Sequence, residues 1–263
     1  MLTVYRMGED LKVLPVKKLP EKGSLQTKRK LDPRLPGATE DGLYRPALVV
    51  IQAPVRSGKS NLVTSMLYQD NLMRGVFDEI YYISPTVMND DTTWAIRKDN
   101  DVIKIAEHLE EIDLILQSLV EIQKGKSDEE RDHTLIVLDD MLGLIKTAGQ
   151  SYFSTLCSKY RHWKISMWVC VQNFRSLPPT CRFNASHYII FKTNNRKELG
   201  KMEEEFEGNF PFLELYEYAT DERFQFLYLD LQEVNAYKNF DELIYQKFKG
   251  KKGEKVNGGG KQD

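Results

Sequence analysis

The sequence predicts an α/β fold, a mostly parallel central sheet with helices on both faces, and three of its features point there. Short apolar, β-branched runs alternate with helix-length amphipathic segments, the pattern of strands buried on both faces and joined by crossover helices. Several of these runs stop where a parallel strand can end in a functional loop. At 263 residues, 41% of them apolar, the chain is long enough for one large α/β domain, and neither an internal repeat nor a second apolar core divides it.

Residues 1–46 mix proline, glycine and charge without a sustained period, so they read as an extended basic arm with at most a short strand near its start. The domain is expected over residues 47–245. Strands are expected at 48–52, 80–84, 134–138, 165–171, 187–191 and 224–229. Helices are expected at 59–68, 105–123, 151–160 and 197–206, the second from apolar Ile105, Leu109, Ile112, Leu116, Leu119 and Val120 on one face. Residues 125–132 form a charged loop, and 246–263 are a basic low-complexity tail too poor in apolar residues to fold.

Lys and Arg number 37 and Asp and Glu 39, but the charge is uneven. Residues 1–34 hold nine Lys/Arg against four acids, and residues 246–263 six Lys against two, which leaves the body strongly acidic. Basic ends suit contact with a polyanion through counterion release, and two solvated tails explain the charge equally well. Cys157, Cys170 and Cys181 are too few and wrongly spaced for a disulfide framework or a zinc site, which favours a reducing compartment. The charged first ten residues do not resemble a signal peptide. No apolar run approaches the roughly 20 residues that span a bilayer, so membrane insertion is not expected.

The segment 47–60, ALVVIQAPVRSGKS, is an apolar strand feeding a loop and then a helix. Ala53, Pro54, Val55, Arg56, Ser57, Gly58, Lys59 and Ser60 nearly match GxxxxGK[ST], the loop whose backbone N–H groups and following helix wrap a triphosphate. Gly58 lets the backbone turn close to a phosphate, Lys59 reaches the β and γ phosphates, and the Ser60 hydroxyl is a ligand for Mg²⁺. Ala53 replaces the first glycine, a methyl tolerated if its φ is negative. Downstream, LIVLDD ends an apolar strand in paired acids: Asp139 to hold Mg²⁺ and Asp140 to polarise an attacking water. A helix cap or loop is the plainer reading of Asp139 and Asp140.

Gln172, at the end of another strand, can sense the γ-phosphate, because an amide both donates and accepts. Arg161 closes a helix before that strand and is a candidate to enter a neighbouring subunit's site, or simply a surface arginine at a helix end. Arg182 is the rival for that role, and Arg56 acts in cis or is solvated.

These residues resemble the genome-packaging ATPases of large DNA viruses, the poxvirus-type branch of the FtsK–HerA translocases. The resemblance rests on APVRSGKS, on LIVLDD and most specifically on RHWKISMWVCVQNFRSLPPTCRFNASHYIIFK, and it extends over roughly residues 45–230. Residues 212–218 and 221–229 resemble the family's helix and terminal strand, and Ala53 is the clearest departure.

The resemblance implies a single P-loop NTPase domain with flexible basic termini, assembled as a pentameric or hexameric ring that uses ATP to thread double-stranded DNA into a preformed capsid. On that reading Lys59, Ser60 and Asp139 bind MgATP, Asp140 activates water, Gln172 couples γ-phosphate loss to movement, and Arg161 acts in trans. Capsid or portal-vertex proteins would be its partners, and the host cytoplasm's viral factory and the virion its locations.

The leading alternative is a P-loop small-molecule or nucleoside kinase, for which 193–197 is the only candidate lid. A scaffold with a relic loop is disfavoured because Lys59, Ser60, Asp139 and Asp140 are all present. A metal hydrolase is disfavoured because His108, His133, His162 and His187 are scattered. The dense aromatics Phe210, Phe212, Tyr216, Tyr218, Phe224, Phe226 and Tyr228 suit a core between helix and edge strand better than a platform for single-stranded nucleic acid.

Overall fold

Leu48, Val49, Val50 and Ile51 are all buried, and alternate residues serve opposite faces of the sheet, so the strand needs apolar side chains at every position. The computed structural model describes residues 5–6, 11–20, 30–141, 143 and 151–247. Along the chain run β1 (Tyr5–Arg6), β2 (Leu48–Gln52), α1 (Lys59–Tyr68), β3 (Glu79–Ile83), α2 (Trp94–Lys98), β4 (Val102–Ile105), α3 (Ile112–Lys124) and β5 (Thr134–Asp139). Then come α4 (Tyr152–Lys159), β6 (Ile165–Val171), α5 (Pro179–Asn184), β7 (His187–Phe191), α6 (Arg196–Phe206), α7 (Phe212–Ala219), β8 (Phe226–Asp230), β9 (Asn235–Lys238) and β10 (Glu242–Gln246).

The sheet order is β1-β10-β9-β8-β7-β2-β6-β5-β3-β4. The six strands from β7 to β4 are parallel, and β8, β9, β10 and β1 extend the sheet antiparallel. Leu48, Val50, Ile136, Leu138, Met167 and Val169 pack on one face with Leu116 of α3, Phe153 of α4, Met202 of α6 and Leu215 of α7. Val49, Ile51, Leu135, Val137 and Trp168 pack on the other with Leu62 and Met66 of α1, Ile96 of α2, and Leu11 and Leu35 from the N-terminal segment. Helices therefore cover both faces, as the sequence predicts.

Residues 11–20 and 30–46 contain no helix or strand beyond the bridge between Ala38 and Tyr44. This segment is nevertheless tied to the body. The Leu14 carbonyl accepts from Ser65 Oγ at 2.7 Å and from Gln69 Nε2, and the Tyr44 hydroxyl hydrogen-bonds Ser166 Oγ at 2.5 Å. The expected basic tail lies outside the described residues beyond Lys247, as do Lys22, Lys28 and Arg29 of the arm. All three cysteines are buried and free. Among the described residues no helix is long and apolar enough to cross a membrane.

Two expected elements need correction. The helix expected at 105–123 starts at Ile112: Ile105 ends β4, His108 takes φ +53°, and Leu109–Glu111 make one 3₁₀ turn. Ile105 and Leu109 share helical spacing by coincidence, and the left-handed residue between them breaks the path. The strand expected at 224–229 begins at Phe226, because Phe224 has φ +69° and cannot lie in a strand. Nor is β8 terminal. β9 and β10 follow it in a meander too short and too polar to show a period in sequence.

His187, at the start of β7, is buried between Ser186 Oγ, 2.8 Å from Nδ1, and Asp230, 3.7 Å from Nε2. Burial lowers its pKa to about 4 despite the Asp230 charge, and Arg161 adds to the lowering. The unfolded imidazole titrates near ~6.5, so below that pH the unfolded chain takes up the proton first. Stability should therefore fall as pH drops from about 6.5 toward 4, by up to ~3 kcal/mol. Urea midpoints across this window should show the loss in the wild type and a flatter profile in His187→Gln.

Candidate nucleotide-binding site

Parallel pairing of β5, β6 and β2 brings three carboxyl-terminal strand ends side by side. From β2 the chain enters the loop 53–58. Ala53 is buried, its N–H donates to the Val171 carbonyl at 2.8 Å, and it is not among the positive-φ residues, so its methyl is accommodated. Ser57 turns back on Pro54, with Oγ 2.7 Å from the Pro54 carbonyl. Val55 and Arg56 are exposed at the tip, Arg56 with φ +63°. Gly58 caps α1 with φ +105°, and a Cβ there would stand 3.2 Å from Phe224 Cδ1. The dihedral strains any larger residue here, and the Phe224 ring would have to shift by a few tenths of an ångström.

Lys59 Nζ lies 2.6 Å from Asp139 Oδ1 and 2.8 Å from Asp140 Oδ1. Burial alone would lower the lysine's pKa, but the two carboxylates outweigh it and the net shift is upward. Asp139 is 3% exposed, and its other oxygen accepts from the Tyr82 hydroxyl at 2.9 Å. Successive strand residues face opposite sides of a sheet, so Asp139 and Asp140 would diverge if β5 continued. Instead Asp140 takes φ +56°, a conformation Asp tolerates better than most residues, and both carboxylates converge on one ammonium.

Gln172, just beyond β6, donates from Nε2 to Asp140 Oδ1 at 3.3 Å, and the buried Gln52 donates to the Gln172 carbonyl at 3.1 Å. Ser60 Oγ donates to Asp90 Oδ2 at 3.2 Å. A cavity of about 650 Å³ opens over the loop, lined by Lys59, Ser60, Asp90, Asp140, Gln172 and Phe224 among others. Lys59 supplies positive charge to the lining of this cavity. The Ser60 hydroxyl and the Asp90 carboxylate are hard oxygen donors of the kind that suits Mg²⁺.

The structure thus brings together Ala53 through Ser60, Asp139, Asp140 and Gln172. It does not bring Arg161 to them within one chain. That residue precedes β6, a strand's length (about 23 Å) from Gln172. There it is exposed, with Nε donating to the Tyr160 hydroxyl at 2.9 Å. Arg182 lies on the site's side of the sheet, lining a second cavity with Asp140 and Gln172. It is bound internally, to Glu205 at 3.2 Å and to the Leu177 carbonyl at 3.0 Å. Residues 193–197, the candidate lid, form the turn into α6, which Asn195 caps.

Sequence reasoning missed Asp90, Tyr82, Gln52, Arg223 and Phe224. Asp90 follows a correctly expected strand that neighbours β5, so the loop after that strand was the place to look for a further acid. Phe224 was absorbed into an expected strand. Six of the seven clustered aromatics are indeed buried or half-buried, whereas Phe224 is 54% exposed.

A family model described as "Poxvirus A32 protein" matches residues 43–205. The chain belongs to the poxvirus A32 protein family. That family match spans the phosphate loop, the paired acids and the Arg161–Gln172 segment. No curated protein matches the chain.

Among solved structures, the fold is similar to that of the genome packaging NTPase B204 from Sulfolobus turreted icosahedral virus 2 in complex with ATP-gammaS. The TM-score there is 0.54 at 15% identity, over 73% of this chain and 95% of that one. B204 described as the DNA-packaging ATPase from Sulfolobus Turreted Icosahedral Virus also gives 0.54, at 16% identity, over 78% of this chain and 100% of that one. The pCW3 conjugation coupling protein TcpA, in monomer form with ATPgS, gives 0.52 at 14% identity, over 86% of this chain and 74% of that one. At such identities these matches establish the shared fold.

Lys59 is the counter-ion of two carboxylates in a largely buried site, and removing one partner of a buried pair typically costs ~3–5 kcal/mol. Lys59→Met should lower stability without nucleotide by about 3 kcal/mol at pH 7, and Lys59→Met/Asp139→Asn should recover most of it. Urea unfolding of both variants measures this directly.

Proposed function

We propose that this A32-family chain hydrolyses ATP with Mg²⁺ and uses the energy to move double-stranded DNA into a preformed capsid, acting as a ring. One observation carries the reading: Lys59 spans Asp139 and Asp140 beneath a phosphate-binding loop, with Gln172 on the second carboxylate. The family match and the fold shared with viral packaging NTPases support it.

The charges explain how the residues work together. Phosphate entering the loop offers Lys59 a stronger partner than two carboxylates, so the ammonium transfers its contacts and both acids are released. Asp139, with Ser60 and the nearby Asp90, would hold Mg²⁺, which would supply charge neutralisation at the phosphates. Asp140, still oriented by Gln172, is left to accept a hydrogen bond from the attacking water. Gln172 is anchored through its own carbonyl to Gln52 at the root of the phosphate loop, so a change at the γ-phosphate reaches both strands together. Arg161 is the better trans arginine, since Arg182 is committed to Glu205. Duplex DNA, neighbouring subunits and capsid or portal-vertex proteins are the partners in this reading, and the viral factory is the place of action.

Two experiments test it. ATP hydrolysis should be stimulated by long duplex DNA, and Asp140→Asn should retain ATP while losing roughly 100-fold or more in turnover. Hydrolysis indifferent to DNA would count against a translocase, and loss of ATP binding in Asp140→Asn would reassign that residue. Mixing Arg161→Ala with Asp140→Asn subunits should restore activity if sites are shared between neighbours. No recovery in a demonstrably mixed ring removes Arg161 from the trans role.

A further inference from the structure

The turn between α7 and β8 carries an aromatic side chain that the packing does not explain. Phe224 is 54% exposed, while Phe226 and Tyr228 of the following strand and Phe212 and Tyr216 of the preceding helix are buried. Its backbone is left-handed, φ +69°, a conformation that is a real outlier for a bulky residue and that persists where the surroundings impose it. The surroundings do so here: Asp221 at the start of the turn is 2.7 Å from Lys238 Nζ, Gln225 donates to Glu222 at 3.1 Å, and Phe226 N–H donates to the Asn239 side chain at 3.3 Å. The strained turn places the ring at the mouth of the cavity over the phosphate loop, against Gly58. The Arg223 guanidinium sits 4.5 Å from the ring centroid and lines the same cavity.

We propose that Phe224 is the platform on which the nucleobase of the bound nucleoside triphosphate stacks, with Arg223 moving off the ring toward the phosphates when the base arrives. The proposal rests on the reading of this cavity as a nucleotide site. An exposed aromatic beside a phosphate loop offers a π-face to any base, whereas leaving it in water has no packing benefit. Contact between an exposed guanidinium and a ring is weak, so a planar base displaces it easily, and the released charge finds a stronger partner in phosphate. Gly58 has two demands to meet here, the loop's backbone turn and room for the ring above it.

The test is equilibrium binding of ATP and, separately, of inorganic triphosphate to the wild type, Phe224→Ala, Phe224→Trp and Lys59→Ala. Phe224→Ala should weaken ATP roughly tenfold or more and leave triphosphate unchanged, since stacking energy is lost and phosphate contacts are kept. Phe224→Trp should bind ATP like the wild type, and its indole emission should change with ATP but not with triphosphate. Equal weakening of ATP and triphosphate in Phe224→Ala would mean that the ring only braces the loop, which overturns the platform. ATP binding unchanged in Phe224→Ala but lost in Lys59→Ala would overturn the platform and leave the nucleotide site standing. Unchanged ATP binding in Lys59→Ala would instead bring down the nucleotide site itself.

Discussion

One ammonium held between two carboxylates organises the functional edge of this protein. Lys59 belongs to the first turn of α1, Asp139 ends β5 and Asp140 begins the loop beyond it, so the contact ties the helix that follows the phosphate loop to a strand two positions away in the sheet. Without the lysine, two adjacent acids would face each other in a cavity where water screens them poorly. With it, the two carboxylates share one counter-ion. Tyr82 and Gln172 each donate to one carboxylate of this triad, and Gln52 donates to the Gln172 backbone carbonyl behind it.

The rest of the fold holds that edge in register. Evenly spaced parallel pairing aligns the ends of β2, β5 and β6, whose mostly apolar residues are buried on both faces. The antiparallel half, from β8 through β10, widens the sheet beyond β7, and the turn that leads into it comes back over the phosphate loop. On the α1 face, Leu11 and Leu35 of the N-terminal segment join the core beside the helices, and the Leu14 carbonyl ties the segment to α1.

The likeness to B204 and TcpA is one of architecture at 14–16% identity, so only backbone and layer order are shared at the level those matches measure. Family membership is carried separately, by residues 43–205. Agreement between local motif and global topology is what a sequence selected for one fold should display.

The layers, five of the parallel strands and the strand ends where Ala53–Ser60, Asp139, Asp140 and Gln172 sit are legible in the sequence, because these depend on local periodicity and on motifs contiguous in the chain. Short elements toward the two sides of the sheet escaped it: β4, β9 and β10 hold only four or five residues each, and cross-strand partners rather than pattern stabilise them. Only the tertiary structure decided that Asp140 turns left-handed to join Asp139 on Lys59. Only there do Asp90 and Ser60 meet across thirty residues, and only there does Phe224 leave its apolar run to stand over Gly58. Each of those outcomes is set by contacts between segments distant in the chain, and no local preference encodes them.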